Sequence, residues 1–507
     1  MMAVLKDCLE LIPLHYGERV DLAQLPEDEE VYQVLQKADT VGMFQVESRA
    51  QMASLPRNMP TKFYDLVVQV AIIRPGPIVG KMMHPYMRRR QGKEAVTYPH
   101  PSLIPVLERT LGVPLFQEQL LRIAMTVANF SGAEAEELRR AVGMRRSWER
   151  MKNLEGKLRE GMAANGISPK VQEEIIQNIS SFALYGFPES HAASFALIAY
   201  ASAYLKVKYL AAFTCAILNN QPMGFYMPAV LVKDAQRHGL RVRPVDVQVS
   251  RWECTIEKEA DELSVRMGLG YAKGLRKISA EALVESRVRN GRYRSAEDLA
   301  LRVPGLNRKE LTLLAQIGAL NWVDGVEHRR DALWQVERAG KMEGPLLRQA
   351  LGEEEAAQAE DLKAQPLKQM DTGERLVADY AGTGLTVGRH PMHYWREELK
   401  RSDVLSAAEL RGRRDGEWVK AAGCVIARQR PGTAKGFIFI SMEDETGIAN
   451  VIVTPDLYER ERVTVVRSKF LLVEGVLQNQ DGVIHIKAST LTALSDRAIA
   501  MQSHDFH

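Results

Sequence analysis

Gly42-Met43-Phe44-Gln45-Val46-Glu47-Ser48-Arg49, Arg74-Pro75-Gly76-Pro77, Leu115-Phe116-Gln117-Glu118-Gln119, Leu138-Arg139-Arg140-Ala141-Val142-Gly143 and Tyr185-Gly186-Phe187 with Ser190-His191-Ala192-Ala193 follow one another in the first half of the chain. The sequence around these stretches reads as mostly helical. Apolar residues recur every three or four positions in Glu118–Ala128, Glu134–Val142, Trp148–Asn165 and Ser190–Leu218. Ser131 precedes the acidic turn Glu134, Glu136 and Glu137, and Ser168-Pro169 opens a helix through Val171, Ile175 and Ile176. Val67–Ile73 is a continuous apolar, strand-like run closed by Pro75-Gly76-Pro77.

Outward from this core the texture changes twice. From about 226 to 335 the chain is basic and punctuated by glycine, with Arg237, Arg241, Arg243, Arg251, Arg266, Lys273, Arg276 and Lys277. A stretch from about 340 to 372 rich in Glu, Ala, Gln and Lys reads as a solvated helical connector. From about 415, five short β-like runs (Val419–Ala427, Phe437–Met442, Ala449–Val453, Phe470–Val476, Val483–Ala488) alternate with the turns Pro431-Gly432, Glu445-Thr446-Gly447 and Gln480-Asp481-Gly482. Five strands of this length suit a small barrel of the OB type. The fold class expected is therefore a mainly α region, then a basic glycine-punctuated segment, then an all-β barrel.

Composition places 507 residues at two to four domains, with a net charge of only +3, so a nucleic-acid partner has to be sought in local charge. Cys8, Cys215, Cys254 and Cys424 are scattered and suggest neither a zinc site nor a disulfide framework, which suits the cytoplasm. Lys6 and Asp7 interrupt the first apolar stretch, and Ala192–Leu205 is too short for a bilayer, so no membrane role is expected.

Five groups of residues carry possible chemistry. Between 137 and 160, eight basic residues face four acidic ones, and Arg139, Arg140, Arg145 and Arg146 present four guanidinium groups suited to phosphate. A solvated basic helix face is the other reading. Arg74 ends an apolar run at a rigid turn, where it either points at a ligand or caps a core element. Gln117-Glu118-Gln119 is either a positioning group or an exposed polar turn. Gly268-Leu269-Gly270-Tyr271-Ala272-Lys273-Gly274-Leu275-Arg276 and Val303-Pro304-Gly305-Leu306-Asn307 lead glycine turns into helices, where backbone N–H groups suit phosphate. Asn307 and Glu310 form a capping pair. Arg428, Arg430 and Lys435 flank Gly432 beside Phe437 and Phe439, a pattern for stacking single-stranded bases, although period two also permits a phenylalanine in the barrel core.

The ordered set that opens this section resembles the fingers region of the bacterial C-family replicative DNA polymerases, and Phe44–Met52 resembles their error-prone branch. The resemblance extends over nearly the whole chain. It implies a DNA-directed DNA polymerase, a nucleotidyltransferase, acting in DNA repair, SOS mutagenesis and damage-induced translesion synthesis, with incoming dNTP and primer–template DNA as ligands. A sliding clamp and accessory proteins of the error-prone pathway are the further partners it implies. The nucleotide is expected at Arg74, Arg139, Arg140, Arg145, Tyr185 and His191, and DNA at Gly268, Gly270, Lys273, Gly274, Gly305, Arg428, Arg430 and Lys435. The implied divisions are 1–40 as the edge of a palm, 41–225 as fingers, 226–335 as the helix–hairpin–helix module, 336–414 as connector and 415–507 as OB domain.

In that family Mg²⁺ is held by palm aspartates upstream of the fingers. Asp7, Asp21, Asp28 and Asp39 lie in helical or loop-like sequence, so no metal or catalytic residue is assigned here. The chain is expected to be the C-terminal portion of such an enzyme, inactive alone. The alternative is a non-catalytic DNA-binding or scaffold protein derived from a split or truncated polymerase gene. A DNA ligase is set aside, because Lys37-Ala38-Asp39-Thr40 has Thr where the adenylation motif has Gly.

Overall fold

The computed structural model describes residues 1–73, 79–143, 148–183, 186–339, 367–432, 434–494 and 503–506. The chain forms two compact units. One comprises Met1–Val20, Tyr209–Gln480 and Ile484–His507; the other comprises Asp21–Lys208 with Asp481–Val483. The first helix, α1 (Met2–His15), belongs with the later part of the chain, and buries Val4, Leu5, Cys8 and Ile12.

The unit of residues 21–208 is helical: α2 (Glu29–Gln36), α3 (Arg49–Asn58), α4 (Phe63–Ile72), α5 (Val79–Arg90), α6 (Gln117–Ala128), α7 (Gly132–Gly143), α8 (Trp148–Ala164), α9 (Pro169–Ala183) and α10 (Glu189–Lys208). Two apolar cores hold it together. In the first, α2, α4 and α10 enclose Leu35, Val46, Leu66, Phe116 and Ala196. In the second, α6 to α9 pack Ile123, Val127, Leu138, Leu158, Met162 and Ile175. Side chains of this size contribute about 1.5–3 kcal/mol each when removed from water. The apolar run before Arg74 is a helix, α4, and not a strand. Asp65–Ile72 are all buried, so no polar face marks the helical period.

In the other unit, the apolar helix α11 (Leu210–Asn219) packs on α1, and α12 (Pro228–Arg237) follows. Thus Ser190–Leu218 is two helices, broken at Tyr209. A three-stranded sheet of order β1-β3-β2 comes next, from β1 (Arg241–Arg243), β2 (Thr255–Glu259) and β3 (Glu262–Arg266), which the residue pattern does not announce. Helices α13 (Lys277–Asn290), α14 (Ala296–Arg302), α15 (Arg308–Gln316) and α16 (Arg329–Ala339) form the hairpin module, and α17 (Thr372–Thr383) packs against α15. Most of the acidic connector lies outside the described residues.

The last domain is a closed barrel. Its elements are β4 (Val404–Leu405), β5 (Trp418–Gln429), β6 (Ile438–Glu443), β7 (Ile448–Val453), α18 (Pro455–Arg460), α19 (Arg462–Arg467), β8 (Phe470–Gln480), β9 (Val483–Ala493) and β10 (His504–Phe506). The sheet order β5-β6-β7-β9-β8 returns to β5. Closure works because β5 is long: Trp418–Cys424 pairs with β8, and Cys424–Gln429 pairs with β6. Ile440, Val451, Leu471, Val473, Leu477 and Ile486 fill the interior, all fully buried.

Candidate functional site

Four of the quoted stretches converge in the helical unit. At the start of α6 the backbone N–H of Gln117 donates to Phe187 O (3.0 Å), and its side-chain Nε2 donates to Gly186 O (2.8 Å). The Gly186–Phe187 turn therefore hangs on the first residue of α6. The same amide presents Oε1 to Arg139 Nη1 at 3.3 Å. Arg139 also grips Glu136, one turn back on α7, through Nε (2.8 Å) and Nη2 (2.6 Å), and Arg140 Nε donates to that carboxylate at 3.0 Å. These guanidinium groups hold the Glu136 carboxyl down at about 2. His191 is exposed on α10, with its ring 5.0 Å from Phe187 and 4.3 Å from Phe195. Phe195 in turn lies 5.4 Å from Phe44, whose N–H donates to Ser202 Oγ (3.0 Å).

A second tier steadies this patch. The first N–H of α10, on Glu189, is capped by Glu118 Oε2 (2.8 Å). Glu189 Oε1 accepts from Tyr64 Oη (2.8 Å), and Arg109 stacks 3.6 Å from the Tyr64 ring centroid. Gln119 is buried and closes the turn at Leu115 and Phe116 through Oε1 (2.7 and 3.0 Å), so it serves the turn while Gln117 reaches Arg139. Arg74, Arg145 and Tyr185 lie outside the described residues.

The hairpin module presents two matched turns. Leu275 N–H donates to Ala272 O, and Leu306 N–H to Val303 O, each at 3.0 Å. One buried carboxylate serves both helix starts: Glu310 accepts from Arg276 N and Asn307 N, each at 3.0 Å. It also takes Arg276 Nε and Nη2 at 2.9 Å, while Arg276 Nη2 reaches Gly305 O at 2.6 Å. Arg276 is thus the tie between the two turns. Lys273, Gly274, Arg276 and Lys277 on one turn, and Gly305, Arg308 and Lys309 on the other, are exposed. Among the described residues the N–H groups of Gly274 and Gly305 have no protein acceptor. Gly274 sits at φ +102°, a backbone region that favours glycine.

Gly268 and Gly270 serve the fold instead. A Cβ on Gly268 would lie 2.4 Å from Trp252 O, and the two N–H groups are taken by Cys254 Sγ (3.4 Å) and Trp252 O (3.0 Å). Arg428 is likewise engaged. Its side chain is 11% exposed and donates to Val465 O (2.7 Å), Ser468 O and Ser503 Oγ (2.6 Å), with Asp505 at 3.4 Å. Arg430 and Lys435 are exposed on the β5–β6 loop, with Arg430 4.9 Å from the Tyr458 ring. Phe437 and Phe439 are half-buried on the outer side of β6, whereas Ile438, Ile440 and Met442 face the core. The register aligns Gln429, Phe439, Ile452 and Lys487 across β5, β6, β7 and β9.

The carboxylates nearest the start are hydrogen-bonded within the protein. Asp7 accepts from Asn220 Nδ2 (2.6 Å), Asp21 caps Ala23 N (2.9 Å), and Asp28 caps Glu30 N (2.9 Å) while pairing with Lys208 (2.8 Å). The four cysteines are buried and free, and no helix among the described residues is long and apolar enough to cross a membrane.

Residues 1–166 match the finger domain of the bacterial DNA polymerase III alpha subunit, 239–332 a helix–hairpin–helix motif, and 419–494 an OB-fold nucleic acid binding domain. Error-prone DNA polymerase 2 of Agrobacterium fabrum is 45% identical over 509 residues, covering 100% of this chain and 47% of that protein. The error-prone DNA polymerase of Alkalilimnicola ehrlichii is 45% identical over 514 residues (100% and 49%), and that of Pseudomonas paraeruginosa 44% over 515 residues (100% and 49%). A solved asparaginyl-tRNA synthetase from Pyrococcus horikoshii aligns at 22% identity over 18% of this chain and 23% of that chain, with a TM-score of 0.17. The chain spans about half the length of the curated relatives it matches. Along its whole length it belongs with the error-prone DNA polymerases of the bacterial DNA polymerase III alpha-subunit type.

Proposed function

We propose that this chain supplies the nucleotide-positioning and DNA-holding parts of an error-prone DNA-directed DNA polymerase acting in repair and translesion synthesis. The observation that carries this reading is the Gln117 amide, which fastens Arg139 to the Gly186–Phe187 turn beside His191. Arg139 and Arg140 bind the triphosphate of an incoming dNTP, and the aromatic edge of Phe187, His191 and Phe195 faces its base or sugar. The hairpins at Lys273-Gly274 and Gly305 hold the duplex backbone without regard to sequence, through N–H groups and cations at helix starts. The outer barrel face, with Phe439, Arg430 and Lys435, takes the single-stranded template.

Phosphoryl transfer also needs two divalent ions to align and neutralise the reacting oxygens. We assign no metal ligand to Asp7, Asp21, Asp28 or Asp39; Mg²⁺ would be held by other carboxylates of the polymerase and would supply that alignment and neutralisation. A sliding clamp and accessory proteins of the error-prone pathway, and a cytoplasmic setting, complete the proposal.

The test is paired titration of the 507-residue chain with dATP and with primer–template. Arg139→Ala with Arg140→Ala should weaken dATP about tenfold or more, since a charge-assisted bond is worth about 1.5–3 kcal/mol, and leave DNA affinity unchanged. Loss of DNA affinity with dATP binding intact would refute the assignment.

A further inference from the structure

We infer that Glu136 is a built-in stand-in for nucleotide phosphate: it occupies the two guanidinium groups when no triphosphate is present and has to be displaced when one binds. This rests on the reading of Arg139 and Arg140 as triphosphate ligands. The geometry is that of an anion already seated. Both carboxylate oxygens are used on Arg139 (2.8 and 2.6 Å), one is shared with Arg140 (3.0 Å), and all three residues lie on one face of α7. The fork that Arg139 offers to Glu136 is the one that would receive two phosphate oxygens. The third side of the guanidinium is fixed independently, by Gln117 Oε1 at 3.3 Å, and Gln117 is itself held by Gly186 O. Displacing the carboxylate therefore leaves Arg139 tethered in place.

The Glu136 carboxyl, held down at about 2, stays charged throughout the physiological range, so it competes at every working pH. Its side chain is about one-third exposed, which lets it swing into water once a stronger anion arrives. The chemical consequence is a competition that any phosphate ligand of the two arginines has to win, and a triphosphate has enough oxygens to satisfy both. Glu136 is thus a positioning residue, acting through the two arginines.

The experiment titrates the full 507-residue chain with dATP and dAMP by calorimetry, using wild type, Glu136→Gln, Glu137→Gln and the double variant Arg139→Ala with Arg140→Ala. Glutamine preserves helix propensity at a partly exposed site, and circular dichroism of each variant verifies the fold. Glu136→Gln should tighten dATP and dAMP alike, each about two- to fivefold, the range of an exposed ion pair. Glu137→Gln removes the same charge one residue away, where the carboxylate is not the one bonded to Arg139 and Arg140, and should change neither. Equal effects of the two glutamine variants, or no tightening by Glu136→Gln while the arginine variant loses dATP, would overturn the inference and leave the triphosphate reading standing. If the arginine variant binds dATP normally, the triphosphate reading itself fails, and this inference with it.

Discussion

Glu310 allows the hairpin module to be tested quantitatively. It is 2% exposed and accepts the N–H groups of both Arg276 and Asn307, so Glu310→Ala leaves two helix-start donors without an acceptor. A buried unsatisfied donor costs about 1–3 kcal/mol, and a lost helix cap about 1 kcal/mol. The Arg276 side chain is 53% exposed and regains water, so its own loss adds little. The sum is about 2–4 kcal/mol of local stability, which lowers amide protection by about 30- to 1,000-fold. Hydrogen-exchange mass spectrometry on peptides covering 272–316 reads this directly. Duplex affinity should fall with it, because the two turns lose their shared anchor.

The acid response has a fixed sign. Hydrogen bonding from Arg276 holds the Glu310 carboxyl at about 2, below its usual 4.5. Its contribution is therefore complete above about pH 4.5 and is lost as the pH falls from there toward 2, and Glu310→Gln should abolish that slope. Protection in Glu310→Ala within threefold of wild type, or identical acid profiles for wild type and Glu310→Gln, would refute the shared-cap argument.

Three further outcomes follow from the structure. Arg430→Ala with Lys435→Ala should flatten the salt dependence of single-stranded DNA binding by about 0.7 in the log–log slope for each phosphate no longer neutralised, measured by anisotropy; an unchanged slope would remove the barrel loop from the interface. Arg428→Ala should destabilise the barrel by about 2–4 kcal/mol in chemical denaturation, because it strips donors from buried carbonyls, while single-stranded DNA affinity per folded molecule stays constant. The purified 507-residue chain should not extend a primer with Mg²⁺ or Mn²⁺, because phosphoryl transfer needs carboxylates that hold two ions and none is assigned here; template-directed extension free of host polymerase would contradict this.

Much of this architecture was legible in sequence because its periods are clean. Helices α6 to α9 carry apolar residues at three- and four-residue spacing, and their cores contain those residues. The five barrel strands were bracketed by their turns. Glu136 was also within reach, since a glutamate three and four residues before two arginines is an ion-pair spacing on a helix. What failed to show were features that depend on strand pairing. Gly268 reads as a glycine before a helix, yet what it needs is room for the chain at 252–254, which the β2–β3 pairing folds back against it.

Arg428 shows how a single local irregularity overturns a correct pattern. Val425 faces the barrel core, opposite Met442, so strict alternation along β5 sends residues 427 and 429 inward and Arg428 outward, toward a ligand. Between Val425 and Ala427 the register shifts by a bulge, and Arg428 comes to lie opposite Ile440, which is fully buried. A bulge inserts one unpaired residue and exchanges the faces of every side chain beyond it. The guanidinium, carried inward, is tolerable only because Val465 O, Ser468 O and Ser503 Oγ meet it there. Burial lowers its pKa, as expected for a charge withdrawn from water. The same exchange places Gln429 beside Phe439 on the outer face, so the bulge that removes Arg428 from the candidate interface also completes the Gln429–Phe439–Ile452–Lys487 row that forms it.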